Sequence, residues 1–368
     1  MNQRTRFLGL DVHKATIAVA ICETAGAAQS YGTIPNQPAA VHKLTDRLGG
    51  VGVRLKAAYE AGPTGFATQR QLSALGVECV VVAPSLMPRR PGDRVKTDRR
   101  DALQLARLLR SGDLTQVWIP DEAHEALRNL VRARADARID LMRARNRLGK
   151  YLLRQGLTPP LGIRAWSLKH AAWLRRLSFR HTADQVVFQD YWQVVTAAGD
   201  RVRRLELELH RAAEQSPQLP LIAALQAIRG IAFLTAVTIV AEVGDLRRFQ
   251  QARQFMAYTG LVPSEHSSGG STYRGRITRT GNALLRHVLG EAAHHARHQP
   301  RLSTLLRERQ AGLPPALTDL AWRAQHRLNY RYRHLAARLG RPRALTAVAR
   351  ELAGFVWAIG QRSVIAPS

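Results

Sequence analysis

The chain has few cysteines, few acids and no long apolar run, and each shortage excludes something. Cys22 and Cys79 are too few for a disulfide framework, so the fold must rest on its own cores, as in a reducing cytosol. The longest apolar stretch, Ile231 to Ala241, falls short of the ~20 residues that cross a bilayer. The opening MNQRTRFLGLDVHK lacks the apolar core and small-residue cleavage site of a signal peptide, so no membrane partner is expected. Acids are the most telling shortage: 27 Asp+Glu against 55 Lys+Arg leave a formal charge of +28. A compact state of that charge repels itself unless a polyanion neutralises it. Most of the excess is arginine, which forks onto phosphates, so nucleic acid is the expected partner.

With 45 % hydrophobic residues, 368 residues suffice for two or three domains. Residues 1–118 alternate strand and helix signals and predict a three-layer α/β domain. RFLGLDVH and KATIAVAICET read as neighbouring strands, VRLKAAYE and VECVVVAPS as buried ones. QPAAVHKLTDRL, PTGFATQRQLSALG (opened by Pro63) and DRRDALQLARLLRSGDL read as helices. Residues 119–218 predict long helices. The first has apolar Leu127, Val131, Ala135, Ile139 and Met142. The second carries a three-four seam from Phe188 to Ala212, which reads as a coiled coil pairing protomers or as a helical pair within one domain. Residues 219–368 predict a mainly α domain. Its IRGIAFLTAVTIVAEVGDLRRF has helix-hairpin-helix character, and its glycine-rich GLVPSEHSSGGSTYRGRITRTGN is expected to be largely loop.

The scarce acids are placed unlike solvated ones. Asp11 falls in or just after the first strand, and Glu60 ends another buried strand. Buried carboxylates are costly without a cation or metal. Asp98 and Asp101, three apart, project from one helical face. Taken singly, each has an ordinary reading: a solvated helix face, a turn cap, an arginine partner. Taken together and in this order, they are the ligands expected for an RNase H-like two-metal site. There, two Mg²⁺ or Mn²⁺ ions about 3.5–4 Å apart steady the attacking and leaving oxygens of a phosphoryl transfer.

A second site is suggested by PSEHSSGGSTYRGRITRTGN. Ser268 precedes two glycines that leave its hydroxyl open, and Arg274, Arg276 and Arg279 are candidates to hold a phosphate beside it. His266 or a metal is the candidate activator. A phosphate-binding loop without catalysis is the competing reading. His287, His294, His295 and His298 have spacings compatible with zinc but no cysteine or carboxylate set to complete it, which favours a DNA-facing or packing role.

GLDVHKATIAVAI, YEAGPTGF and KTDRRDALQLARLL resemble the DEDD transposases of insertion-sequence family one hundred and ten. The segment from AIRGIAFLTAV to TGNALLRHVL, with RPRALTAVARELAGFVWAIG, resembles that family's C-terminal transposase domain. The resemblance implies a RuvC-like first domain with Asp11, Glu60, Asp98 and Asp101 as its Mg²⁺-binding acids. It implies that Ser268 attacks DNA to form a phosphoserine link. It also implies donor and target DNA as substrates, a structured guide RNA from the element, a dimeric or tetrameric assembly, and a place in the bacterial cytosol or nucleoid. A RuvC-like junction nuclease without a covalent intermediate, and a basic scaffold without activity, are the competing functions.

Overall fold

A computed structural model describes residues 4–84, 87, 97–268 and 270–363, and the backbone alone at 266, 267 and 272. The chain forms two compact units, 1–119 and 120–368.

The first unit is built on a five-stranded sheet, β1 (Arg4–Val12), β2 (Thr16–Glu23), β3 (Gln29–Pro35), β4 (Val53–Glu60) and β5 (Glu78–Val82), in the order β3-β2-β1-β4-β5. β1, β2 and β3 run antiparallel, whereas β4 and β5 are parallel to β1. Helices α1 (Pro38–Leu48), α2 (Ala67–Ala74) and α3 (Asp98–Ser111) complete the unit. Period-two alternation sends Leu8, Leu10, Ala57 and Tyr59 into a core with Val41, Leu44 and Leu72 of α1 and α2. The opposite face meets α3 through Ala18, Ala20, Ala102 and Ala106. The sheet is therefore covered on both sides. The helix expected to open at Pro63 starts instead at Ala67, after a turn.

The second unit begins with α4 (Glu122–Arg154), α5 (Leu168–Arg175) and α6 (Thr182–Glu214). It continues with α7 (Leu219–Leu225), α8 (Phe233–Val243), α9 (Ala252–Tyr258), the hairpin β6 (Pro263–Ser268) and β7 (Ser271–Ile277), α10 (Ala283–Ala293), α11 (Thr304–Gln310), α12 (Pro315–Leu339) and α13 (Arg341–Gly360). Residues 119–218 and 219–368 share a core, since Leu127, Val131, Leu209 and Ala213 pack with α8, α10 and α13. Among the described residues no helix is long and apolar enough to cross a membrane.

α4 and α6, 33 residues each, pack antiparallel. Tyr151 near the end of α4 donates to the Asp184 carbonyl near the start of α6 at 2.8 Å, and Arg201 reaches Asp140 at 2.9 Å. Phe188, Val195, Val202 and Leu209 are the buried residues of the expected seam, seven apart. They are covered by the same chain: the first three pack against Ala137, Leu141, Ala144 and Leu148 of α4. Within the chain the seam packs as a helical pair, the second of the two readings. Each large apolar side chain so buried stabilises by about 1.5–3 kcal/mol. The expected α4 stripe also changes register. Leu127 and Val131 are buried, but Ile139 and Met142 are 41 % and 54 % exposed, because α4 turns from the C-terminal core to α6 between them.

The segment expected to be loop is a β-hairpin with Ser268 opposite Ser271. Gly-Gly between two short runs is a hairpin signal, and the alternating Ser, Thr, Tyr and Arg residues tolerate a strand with both faces in water. The segment read as having helix-hairpin-helix character is occupied by α7, a turn and α8. Ala236 to Val243 are all buried, so α8 is a core helix.

Candidate active site

Asp11 lies one residue from the end of β1. The parallel register that sets Leu10 beside Tyr59 places Asp11 next to Glu60, the last residue of β4. Alternation turns both acids to the sheet face that α3 covers. Gly9 permits the contact. A Cβ there would stand 2.0 Å from the Ala102 carbonyl oxygen and 2.4 Å from the Ala106 nitrogen, so any side chain would push α3 away. The close approach carries the first turn of α3, with Asp98 and Asp101, to the end of β1. Thr97 caps that turn, its hydroxyl accepting from the Arg100 amide at 3.3 Å.

Asp11, His13 and Asp98 come together: one ligand atom from each lies within 4.8 Å of the others. His13 Nε2 is 3.2 Å from Asp11 Oδ2 and 3.6 Å from Asp98 Oδ1. Glu60 and Asp101 are not in this group, although Asp101 acts on Asp11 through its charge. Burial pushes the Asp11 carboxyl above its ordinary value; His13 draws it down, and Asp98 and Asp101 push it further up. The Asp11 side chain is 19 % exposed and that of Asp98 64 %, so the group opens from a half-buried strand end to solvent. Sequence reasoning missed His13. Its signal was the spacing Asp-Val-His, which in a strand sends two side chains to one face.

Ser268 is exposed at the end of β6, and the Ser271 hydroxyl donates to its carbonyl oxygen at 3.2 Å. The side chain of His266, the expected activator, lies outside the described residues. Arg274 pairs across the hairpin with Glu265 at 3.3 Å, while Arg276 and Arg279 are exposed. The base of the hairpin is fixed tightly. Arg279, at φ +56°, donates its amide to the Gly260 carbonyl at 3.1 Å. A Cβ on Gly281, at φ +96°, would stand 2.1 Å from the Tyr258 carbonyl oxygen.

Behind that base lies a charge the sequence did not flag. Glu242 of α8 is fully buried and takes a two-pronged contact from Arg132 of α4, at 2.7 and 2.8 Å. Asn282 donates to the same carboxylate, and its Oδ1 caps α10 by accepting from the Leu285 amide at 2.9 Å. One acid thus ties α4, α8 and the end of the hairpin segment together.

Comparison with known proteins identifies a transposase, a DNA-processing enzyme. Residues 8–155 match the DEDD transposase model of the IS110 type, and residues 222–307 match the model described as "Transposase IS116/IS110/IS902 family". The chain is 41 % identical over 98 % of its length to "Putative transposase y4qE" of Sinorhizobium fredii, covering 90 % of that protein. It is 31 % identical over 90 % of its length to the transposase for insertion sequence element IS1533 of Leptospira borgpetersenii, covering 97 % of it. A transposase for insertion sequence element IS1328 of Yersinia enterocolitica is 27 % identical, over 61 % of this chain and 65 % of that one. The chain belongs to the IS110 family of insertion-sequence transposases. The DEDD match starts in β1 and extends through α4, and the second match takes in the hairpin with Ser268. A DEDD-type domain points to divalent-metal use.

Proposed function

We propose that this transposase cuts and rejoins DNA with Asp11, Glu60, Asp98 and Asp101 as ligands for Mg²⁺ or Mn²⁺ and Ser268 as the nucleophile. The observation that carries the reading is the convergence of Asp11, His13 and Asp98, with Glu60 beside Asp11 on the next strand. The sheet order and the place of α3 support an RNase H-like, RuvC-like domain over residues 1–118. The donor set fits a hard cation: carboxylate oxygens crowd a half-buried strand end, where burial alone makes the charge of Asp11 costly. Imidazole nitrogen suits Mg²⁺ poorly, so the role of His13 is to hold the Asp11 and Asp98 carboxylates in place. Bound there, the cations would neutralise phosphate charge and steady the attacking and leaving oxygens.

Ser268 is exposed, so its hydroxyl is open to a phosphodiester. In the step assigned to it, its Oγ bonds to phosphorus as the bond from phosphorus to the leaving strand's oxygen breaks. The serine gives up its proton and the leaving oxygen gains one. The phosphoserine ester keeps the energy of the broken diester, so a hydroxyl of another strand can displace Ser268 without an external energy source. Arg276 and Arg279, exposed beyond the serine, are suited to hold the phosphate, and Arg274 is held back only by a weak surface pair with Glu265.

The charge of +28 suits a protein that holds a structured guide RNA with donor and target DNA, and suits DNA binding alone equally well; a dimer or tetramer is part of the same reading. The turn between α7 and α8, with half-buried Arg229, is where a helix-hairpin-helix would meet a DNA backbone. A RuvC-like nuclease remains the second reading, because Asp11, Glu60, Asp98, Asp101 and His13 all belong to the first unit, whereas Ser268 belongs to the other. The test of the metal reading is cleavage of element-end DNA with Mg²⁺, with EDTA, and by Asp101→Asn. EDTA and the variant are expected to abolish cleavage while DNA binding persists. Wild-type rates under either condition would overturn it.

A further inference from the structure

The second unit holds an open cleft of about 910 Å³ between α10, α13 and Tyr332 of α12, at the upper end of the usual range for ligand pockets. Its wall is basic on one side: Arg286, Arg297 and Arg341, with three histidines of the α10 segment, face one acid, Glu291, among the described residues. Arg297 and Arg341 are exposed; Arg297 Nε contacts His298 Nε2 at 3.1 Å, and neither guanidinium has a carboxylate partner among the described residues. Apart from Thr346, the rest of the lining is apolar or aromatic, with Ile277, Leu345 and Tyr332.

We propose that this cleft binds an unpaired stretch of nucleic acid, two or three nucleotides long, with phosphates on Arg297 and Arg341 and a base against Tyr332. Three observations favour this occupant. Guanidiniums free of acid partners fit phosphodiester oxygens. Ile277, Leu345 and the Tyr332 ring need apolar faces, which an unpaired base offers and a duplex keeps stacked inside. The cleft is concave, whereas a duplex presents a convex backbone. Leu261 and Ile277 lie at the base of the Ser268 hairpin, so a strand held here enters or leaves at the root of that hairpin. Arg286 plays a different part, since its guanidinium donates to the Thr259 and Gly281 carbonyls and braces the hairpin base.

The proposal rests on the function above only in taking nucleic acid as the partner, and its test is one of binding. Fluorescence anisotropy is measured on the full chain with a labelled twelve-nucleotide oligothymidylate and with a hairpin duplex of equal charge. Arg297→Ala combined with Arg341→Ala is expected to weaken single-strand binding at least tenfold. It is also expected to flatten the slope of log affinity against log salt by about 1.4, at roughly 0.7 per phosphate contact. Arg175→Ala with Arg176→Ala, an equally exposed pair on and just after α5, is the charge-matched control and is expected to leave both nearly unchanged. Tyr332→Leu is expected to cost about tenfold on the single strand with the salt slope unchanged, as a lost stacking contact would. Equal losses in the control pair, or unchanged affinity in the Arg297 and Arg341 variant, would overturn the proposal. A loss confined to the duplex would do so too. Ser268→Ala is expected to bind like wild type. Failure of covalent chemistry would therefore leave this result standing, and failure here would leave the chemistry untouched.

Discussion

Asp11 and His13 sit two residues apart at the end of one strand, with Oδ2 and Nε2 separated by 3.2 Å. The same imidazole nitrogen is 3.6 Å from Asp98 on α3, so one ring links the strand acid to the helix acid. The link crosses the contact that Gly9 makes possible, and the geometry of the acidic site depends on backbone packing as much as on the acids.

Metal should stabilise the protein through this site. Burial raises the folded-state pKa of Asp11 above 3.8, so the stability its proton provides is present below that pH and lost as pH rises through the folded value. At neutral pH, metal-free protein therefore carries Asp11 as a costly half-buried charge. Mn²⁺ at a hundred times its dissociation constant should stabilise wild type by about 2.7 kcal/mol. Asp11→Asn should melt at or above the wild-type temperature without metal and lose most of the Mn²⁺-induced rise. Scanning calorimetry at pH 7 checks both, and an undiminished rise in the variant would count against the site.

Glu242 and Arg132 should respond unequally to truncation. Glu242 is fully buried while the Arg132 side chain is 52 % exposed. Arg132→Ala strands a buried carboxylate, which costs about 3 kcal/mol, although Asn282 offsets part of this. Glu242→Gln leaves a half-solvated guanidinium and a neutral amide, and should cost about 1–2 kcal/mol. Urea denaturation distinguishes them. Because Asn282 caps α10 at the end of the hairpin segment, Glu242→Gln should also lower strand-transfer rate more than DNA affinity.

Val202 tests the helical pair. It is 7 % exposed and packs in the core that α6 forms with α4, so Val202→Asp buries an unpaired charge inside one chain. The expected result is a loss of roughly 3 kcal/mol or more, read as a lower melting temperature. A simple shift of light-scattering mass from oligomer to monomer, with the melting temperature unchanged, would restore the seam to an intermolecular role.

Much of the first unit was legible because its signals are local. Val53–Glu60 and Glu78–Val82 form strands with buried inward positions where the sequence placed them, and Asp98 and Asp101 open a helix that Thr97 caps and Gly112 ends. β3 was missed because QSYGTIP is an edge strand with most of its side chains in water, which leaves no alternation to read. α4 misled because a single helix serves two cores in succession, and no single period describes both. Asp11 and Glu60 stood out as charges on buried strands, and Asp98 and Asp101 by their shared helical face, but His13 carries no such contrast on a polar strand end. Glu242 was as conspicuous in TIVAEVG as Asp11 in FLGLDVH. Its meaning depends on Arg132, 110 residues away, and that pairing only the fold supplies.

The central claim is that Ser268, and not water, attacks the phosphodiester. The direct measurement is denaturing electrophoresis of end-labelled element DNA incubated with Mg²⁺ and the cognate RNA, followed by mass spectrometry of the shifted band. Wild type should give a protein–DNA species whose peptide carries the nucleotide on Ser268. Ser268→Ala should give none, and Ser267→Ala, one residue along the strand, should retain it. Efficient cleavage by wild type with no such species under any trapping condition, or undiminished strand exchange by Ser268→Ala, would contradict the account.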